Sequence, residues 1–126
     1  MTAVFSQMKA KAAGVLAMLD ELQKSQSAGM RLAAIAILQM FPQSQQLAWL
    51  AERLDNPDVE RPFVGYQAAV ALLEAVRALR PEDCAELRGA LTRARTLAER
   101  LSGDPGRLQV IGTAEQELER KCAGKG

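Results

Sequence analysis

The chain has 126 residues, 48% of them apolar and 25% charged, with a formal net charge of +1. That is enough chain for one domain with a modest core, and the balance is that of a globular protein rather than a disordered one. The near-neutral total excludes a general electrostatic pull toward nucleic acid or anionic membrane and leaves only local patches to consider.

Ala and Leu dominate, β-branched residues are scattered, and the aromatics are Phe5, Phe41, Trp49, Phe63 and Tyr66. This bias favours helix over strand. The first segment, Ala3 to Ser25, places Phe5, Met8, Ala12, Val15, Leu19 and Leu22 at steps of 3, 4, 3, 4 and 3. Such a stripe predicts an amphipathic helix with coiled-coil-like spacing, capped by Thr2. Leu16 and Met18 widen the stripe. "SQSAG" at 25–29 reads as a break. No apolar core with a cleavage site occurs in the first twenty residues, and no run approaches the ~18 apolar residues of a membrane span.

Segment two, Met30 to Phe41, is apolar nearly all round, which predicts a helix buried on several sides. Pro42 ends it, because proline lacks an N–H and restricts the residue before it. Segment three, Ser44 to Leu54, sets Leu47, Leu50, Ala51 and Leu54 on one face with Trp49 beside them. "DNPD" at 55–58 is a turn signal. Segment four is approached through "ERPFVGYQ" and predicts a second helix that is apolar on most sides, Val64 to Leu79. Segment five opens at "RPEDCAEL", with Pro81 suited to the first helical position and Glu82 and Asp83 to the positive end of the helix dipole. Its stripe runs through Cys84, Leu87, Leu91, Ala94, Ala98 and Leu101, and "SGDPG" at 102–106 stops it. Beyond that, "RLQVIG" (107–112) is compatible with a short extended piece. "TAEQ" (113–116) has capping-box spacing for a helix from Ala114 to about Lys121, and "AGKG" is a frayed tail.

One phrase is written twice. Ala33-Ala34-Ile35-Ala36-Ile37-Leu38 lies over Ala68-Ala69-Val70-Ala71-Leu72-Leu73, and each copy is followed by a proline and an amphipathic helix. The period of roughly 35–40 residues is close to that of two-helix repeats. Alanine lets helix axes approach closely, so a helix of this kind can be covered by neighbours on two sides. From Gly29 to Leu101, "RLAAIAIL", "DNPDVERPFVGYQAAVALL" and the period together resemble HEAT-like or armadillo-like helical hairpins. An irregular bundle with two Ala-rich core helices obeys the same packing rules. "ERPFVGYQAAVALLEAVRAL" is also similar to small helical modules associated with bacterial conflict and signalling effectors.

The chain contains no histidine. Ser-His-Asp and Cys-His catalysis are therefore impossible within it, as are histidine-ligated zinc sites, Cys₄ sites and Glu-x-x-His dimetal sites. No phosphate-binding glycine loop is present. The carboxylate pairs Glu52 with Asp55 and Glu82 with Glu86 read as solvated charge at helix ends rather than as acid and base. Cys84 sits where a helix dipole lowers a thiol pKa, yet it also holds a stripe position and reads as a small core hydrophobe. Cys122 reads as exposed and incidental. The lack of a leader or span predicts a cytoplasmic protein, and that compartment in turn predicts reduced thiols.

Arg88, Arg93, Arg95 and Arg100 line segment five, and Arg88, Arg95 and Arg107 form a candidate basic strip for nucleic-acid backbone. Interleaved acids and the lack of nearby aromatics favour a salt-bridged solvent face instead. The "RPFVGY" stretch gathers Arg61, Phe63 and Tyr66, residue types that anchor interfaces. The competing reading makes Phe63 a staple on its own helix and Tyr66 a plug at the core edge.

The expectation is a single all-α domain, 1–126, of five or six helices in stacked antiparallel hairpins or an irregular bundle. Residues 1–26 form an N-terminal amphipathic helix, 29–101 two repeat-like hairpins, and 107–126 a C-terminal helix and tail. The expected function is non-enzymatic protein–protein interaction, as adaptor, regulator or effector-associated domain. The partner is another protein or a second copy, bound through Arg61, Phe63, Tyr66, Phe5, Met8, Arg88 and Arg95. No cofactor, metal, membrane or small-molecule substrate is expected. The alternative is a nucleic-acid-binding helical domain that uses the basic strip of 81–101.

Overall fold

A computed structural model describes residues 14–54, 62–100 and 105–123. Six helices and two 3₁₀ turns make up these residues, with no strand among them. The helices are α1 (Leu19–Lys24, preceded by a helical turn over 14–17), α2 (Ala28–Met40), α3 (Leu47–Glu52), α4 (Pro62–Ala78), α5 (Cys84–Glu99) and α6 (Pro105–Cys122). The all-α reading therefore holds. Phe5, Met8, Arg61 and the "DNPD" turn lie outside the described residues.

Local chemistry sets the boundaries. Ser27, in extended backbone, accepts a hydrogen bond from the Met30 amide at 3.4 Å and so caps α2 two residues earlier than the apolar pattern suggests. The buried Arg31 guanidinium donates to the Ser25 carbonyl at 2.9 Å and ties the α1–α2 link to the body. Pro42 stops α2. Beyond it Gln43 donates its side-chain amide to the Phe41 and Pro42 carbonyls, which helix termination leaves without intrahelical partners. A 3₁₀ turn, Ser44–Gln46, then leads into α3, and a matching one, Pro81–Asp83, leads into α5.

The two copies of the repeated phrase thus fold into the same unit of helix, 3₁₀ turn and helix. Like packs on like: α2 lies against α4, α3 lies against α5, and α6 extends the α2–α4 row on the far side of α4. α6 also packs on α5, and α1 packs on α2. Helix α4 is the centre, touching α2, α3, α5 and α6. Its Ala68, Ala69, Ala71, Leu72, Ala75 and Val76 are all buried, as a helix with neighbours on several sides requires. The α3 face of Leu47, Leu50, Ala51 and Leu54 and the α5 stripe of Cys84, Leu87, Leu91, Ala94 and Ala98 are buried as their spacing predicts, and Leu101 lies outside the described residues. Each fully buried Leu or Ile contributes about 1.5–3 kcal/mol.

Two expectations are corrected. Helix α2 is not enclosed: Ala34, Ile35 and Leu38 are buried, but Ala33 and Ala36 are exposed, as are Met30 and Met40. It lies at the edge of the row, so one flank faces solvent despite its apolar sequence. The second correction concerns 107–112, which is helical. α6 is continuous from Pro105, and Thr113 is inside it, its hydroxyl donating to the Gln109 carbonyl at 3.1 Å rather than capping. Arg107, Ile111, Ala114, Leu118 and Cys122 form one buried stripe at helical spacing, and that burial outweighs the β propensity of Val110 and Ile111.

Candidate functional site

The exposed flank of α2 and the first turns of α4 enclose an apolar groove. One part, of about 470 Å³, is lined by Ser27, Ala28, Gly29, Leu32, Phe63 and Val64. The adjoining part, of about 230 Å³, is lined by Leu32, Ala36, Gln39, Phe63 and Gln67. Leu32 and Phe63 belong to both, so the two form one trough. The α2 positions that line it, 28 to 39, span roughly 16 Å at the helical rise. Among the described residues, no charged side chain lines it. Phe63 is 61% exposed and Tyr66, three residues further along α4, is 38% exposed. Gln39 reaches across and donates to both the backbone carbonyl and the side-chain oxygen of Gln67, each at 2.9 Å, fixing the spacing of the two helices. Met30 and Met40 add exposed apolar surface on α2, 46% and 72% exposed. Methionine is flexible and polarizable, which suits adaptable docking surfaces.

Within "RPFVGY", Phe63 lines the groove and Tyr66 is exposed on the same helix. Gly65 between them has a different task. A Cβ there would lie 2.9 Å from Nη1 and 3.0 Å from Cζ of Arg107, so the bare helix backbone is the seat for that guanidinium. Arg107 is 3% exposed. It therefore leaves the candidate basic strip and becomes a core residue that joins α6 to α4. The sequence carried a signal for this, a glycine inside an otherwise strong helix, but nothing in it named the partner.

The rest of the strip is largely neutralised. Arg95 donates to Glu115 on α6, with Nη2 to Oε1 at 2.6 Å and Nε to Oε2 at 2.9 Å, and Glu99 is 3.6 Å away. The Glu115 hydrogen bonds hold the Arg95 guanidinium above its ordinary pKa against the opposing effect of burial. Arg93 pairs with Glu52 at 3.0 Å across the α3–α5 cleft. Arg77 forks onto Glu117 at 2.8 and 2.9 Å, which lowers the Glu117 pKa and raises that of Arg77. Arg88 is exposed on α5, beside a small polar hollow shared with Leu91, Thr92, Glu115, Leu118 and Glu119. Of the residues expected to bind a partner, Phe63 and Tyr66 are brought together on one surface, and Arg88 and Arg95 lie on another helix.

A second cleft, about 410 Å³, runs between α3 and α5 over Ala48, Ala51, Gly89 and Ala90. The Arg93–Glu52 ion pair spans it and Glu86 borders it, so it is a charged, self-satisfied crevice without large exposed apolar residues. Among the described residues, no group of three or more Cys, Asp or Glu could hold a metal ion, and no helix is long and apolar enough to cross a membrane. Glu52 and Glu82 are each paired with an arginine, Glu82 with Arg80 at 3.4 Å.

The cysteines correct a further expectation. Cys84 is buried as its stripe position predicts, but Cys122 is buried too, and the two are joined in a disulfide with Cα atoms 6.2 Å apart. The antiparallel α5–α6 hairpin brings the first residue of one helix beside the last of the other. That meeting was not legible while 107–112 read as extended.

No family model, curated protein or solved structure matches this chain.

Proposed function

We propose that the chain is a non-enzymatic protein–protein interaction module and that the α2–α4 groove is its docking surface. The observation that carries this reading is the exposed Phe63 standing in a trough about one short helix long, lined by no charged side chain among the described residues. Such a trough suits an amphipathic helix that lays apolar side chains at positions i, i+3 or i+4, and i+7 into it. The helix–turn–helix units, stacked like on like, fit a HEAT-like or armadillo-like scaffold acting as adaptor, regulator or effector-associated domain, with an open edge for a partner. The reading as a nucleic-acid binder has less support, because Arg93 and Arg95 are engaged with carboxylates and Arg107 is buried. The reduced thiols expected with a cytoplasmic location are instead joined in a disulfide.

The test is site-specific photocrosslinking from position 63 in cells that make the protein, with position 88 on α5 as control. Light scattering of the purified chain is run alongside. A protein adduct from position 63 that disappears with Ala36→Arg supports the groove. A concentration-dependent dimer abolished by Phe63→Glu identifies the partner as a second copy. Absence of any adduct from position 63, together with a monomer at all concentrations, refutes the reading.

A further inference from the structure

We propose that the Cys84–Cys122 bond is a redox-set clasp on the outer end of the α5–α6 hairpin, closed in an oxidising compartment and opened by dithiol reductants. These are the chain's two cysteines, and their Cα separation of 6.2 Å falls inside the range that accepts a disulfide. Their positions are what give the bond leverage. The first half of α6 is held by the buried Arg107, Ile111 and Ala114. Its last two turns rest on Leu118, on the Arg77–Glu117 pair, with side chains 49% and 26% exposed, and on Lys121, which donates to the Val76 carbonyl. Exposed ion pairs of this kind hold little. At the other partner, Cys84 follows a 3₁₀ turn whose Pro81 and Glu82 are exposed. The bond thus joins the N-terminal end of α5 to the C-terminal end of α6 and closes a loop with a sequence separation of 38.

Opening is thiol–disulfide exchange. A dithiol attacks one sulfur and displaces the other as a thiol. Its second sulfur then releases the mixed disulfide. Two electrons and two protons pass to Cys84 and Cys122, and the reductant leaves as its own disulfide. Closure is the reverse, with a low-molecular-weight disulfide such as glutathione disulfide taking up the electrons. The cysteines are only 8% and 7% exposed, so the hairpin end must open before a reductant reaches the sulfur. Reduction then proceeds at the rate of that local opening once reductant is in excess.

The full-length chain, refolded with glutathione disulfide, is denatured and treated with N-ethylmaleimide; no label is expected, and two labels after dithiothreitol. On reduction, the ratio of amide exchange rates between residues 118–122 and residues 68–76 should rise at least tenfold. The unfolding equilibrium constant should rise by roughly two to three orders of magnitude, from the chain entropy a loop of this length regains. The Cys84→Ala/Cys122→Ala variant should match the reduced chain and ignore dithiothreitol; if it does not fold, the exchange ratio of the wild-type chain in the two states decides alone. Two labels on the glutathione-refolded chain, or an exchange ratio indifferent to reductant, overturns the proposal.

Discussion

Two glycines that look alike in the sequence should respond in opposite ways to the same substitution. Gly65 lies in α4 and Gly89 in α5, both helical. Replacing a helical glycine by alanine removes unfolded-chain freedom and favours the helix by about 1 kcal/mol. At Gly89 a Cβ meets nothing within 4 Å, so Gly89→Ala should realise that gain. At Gly65 the new Cβ would lie 2.9, 3.0 and 3.2 Å from Nη1, Cζ and Nε of Arg107. The guanidinium has to retreat from its seat, and at 3% exposure it has no solvent to retreat into. Disturbing hydrogen bonds to a charged group costs about 1.5–3 kcal/mol, and stranding a buried charge costs about 3–5 kcal/mol. Set against the propensity gain, Gly65→Ala should destabilise by about 1–3 kcal/mol, and the two variants should therefore differ by about 2–4 kcal/mol. Urea titrations followed by helix ellipticity measure this directly, read as shifts in midpoint at constant slope. A double-mutant cycle isolates the cause: with Arg107→Ala already in place, Gly65→Ala should turn neutral or stabilising. If Gly65→Ala is as stabilising as Gly89→Ala in the parent chain, the seating of Arg107 on the α4 backbone is refuted.

Leu72→Ala empties a site that is 1% exposed and touches the centre of the stack, so it should cost about 2–5 kcal/mol in the same titration. Ala71→Leu forces volume into a fully buried position and should cost about 1–3 kcal/mol, whereas Ala33→Leu on the exposed flank of α2 should change stability by less than about 0.5 kcal/mol. The Glu117 pKa is lowered in the folded chain by the Arg77 hydrogen bonds, so its contribution is complete above the usual glutamate range and is lost as pH falls through the folded value. Thermal melts across that acid window should therefore decline more steeply for the parent than for Glu117→Gln, and equal slopes would contradict the pairing.

Most of the fold was written in spacing. The stripes of α3 and α5 and the double phrase shared by α2 and α4 are periodic over two or more turns, and burial follows periodicity wherever one face meets the core. The failures have a common physical origin in contacts between distant segments. "RLQVIG" carries β-branched residues and no strong local helix signal; it becomes helical because Arg107, Ile111 and Ala114 find α4 and α5, which no local window contains. Once that helix is continuous, Cys122 arrives beside Cys84, and the disulfide follows from the same long-range packing. At the candidate site, Phe63 and Tyr66 were legible as residue types that anchor interfaces. The groove was not legible, because its other wall, Leu32 and Ala36, reads in sequence as core.

That misreading bears on the proposed surface. Two nearly identical phrases cannot differ in burial for reasons of composition, so the difference lies in what flanks each one. Helix α4 has α2 on one side and α6 on the other, and its alanines are consumed by close approach to both. Among the described elements, helix α2 packs on α4 and on α1, and its Ala33, Ala36, Met30 and Met40 are exposed. A row of packed helices always ends in such a flank, and solubility ordinarily requires that the terminal member carry a polar outer face. Here the end helix keeps the sequence of an internal one, with Arg31 buried and no charged side chain on the trough among the described residues. An apolar flank at the end of a stack is stable in water only at the cost of exposed hydrocarbon, and another helix laid into the trough against Leu32, Ala36 and Phe63 would remove part of that cost by bridging α2 and α4.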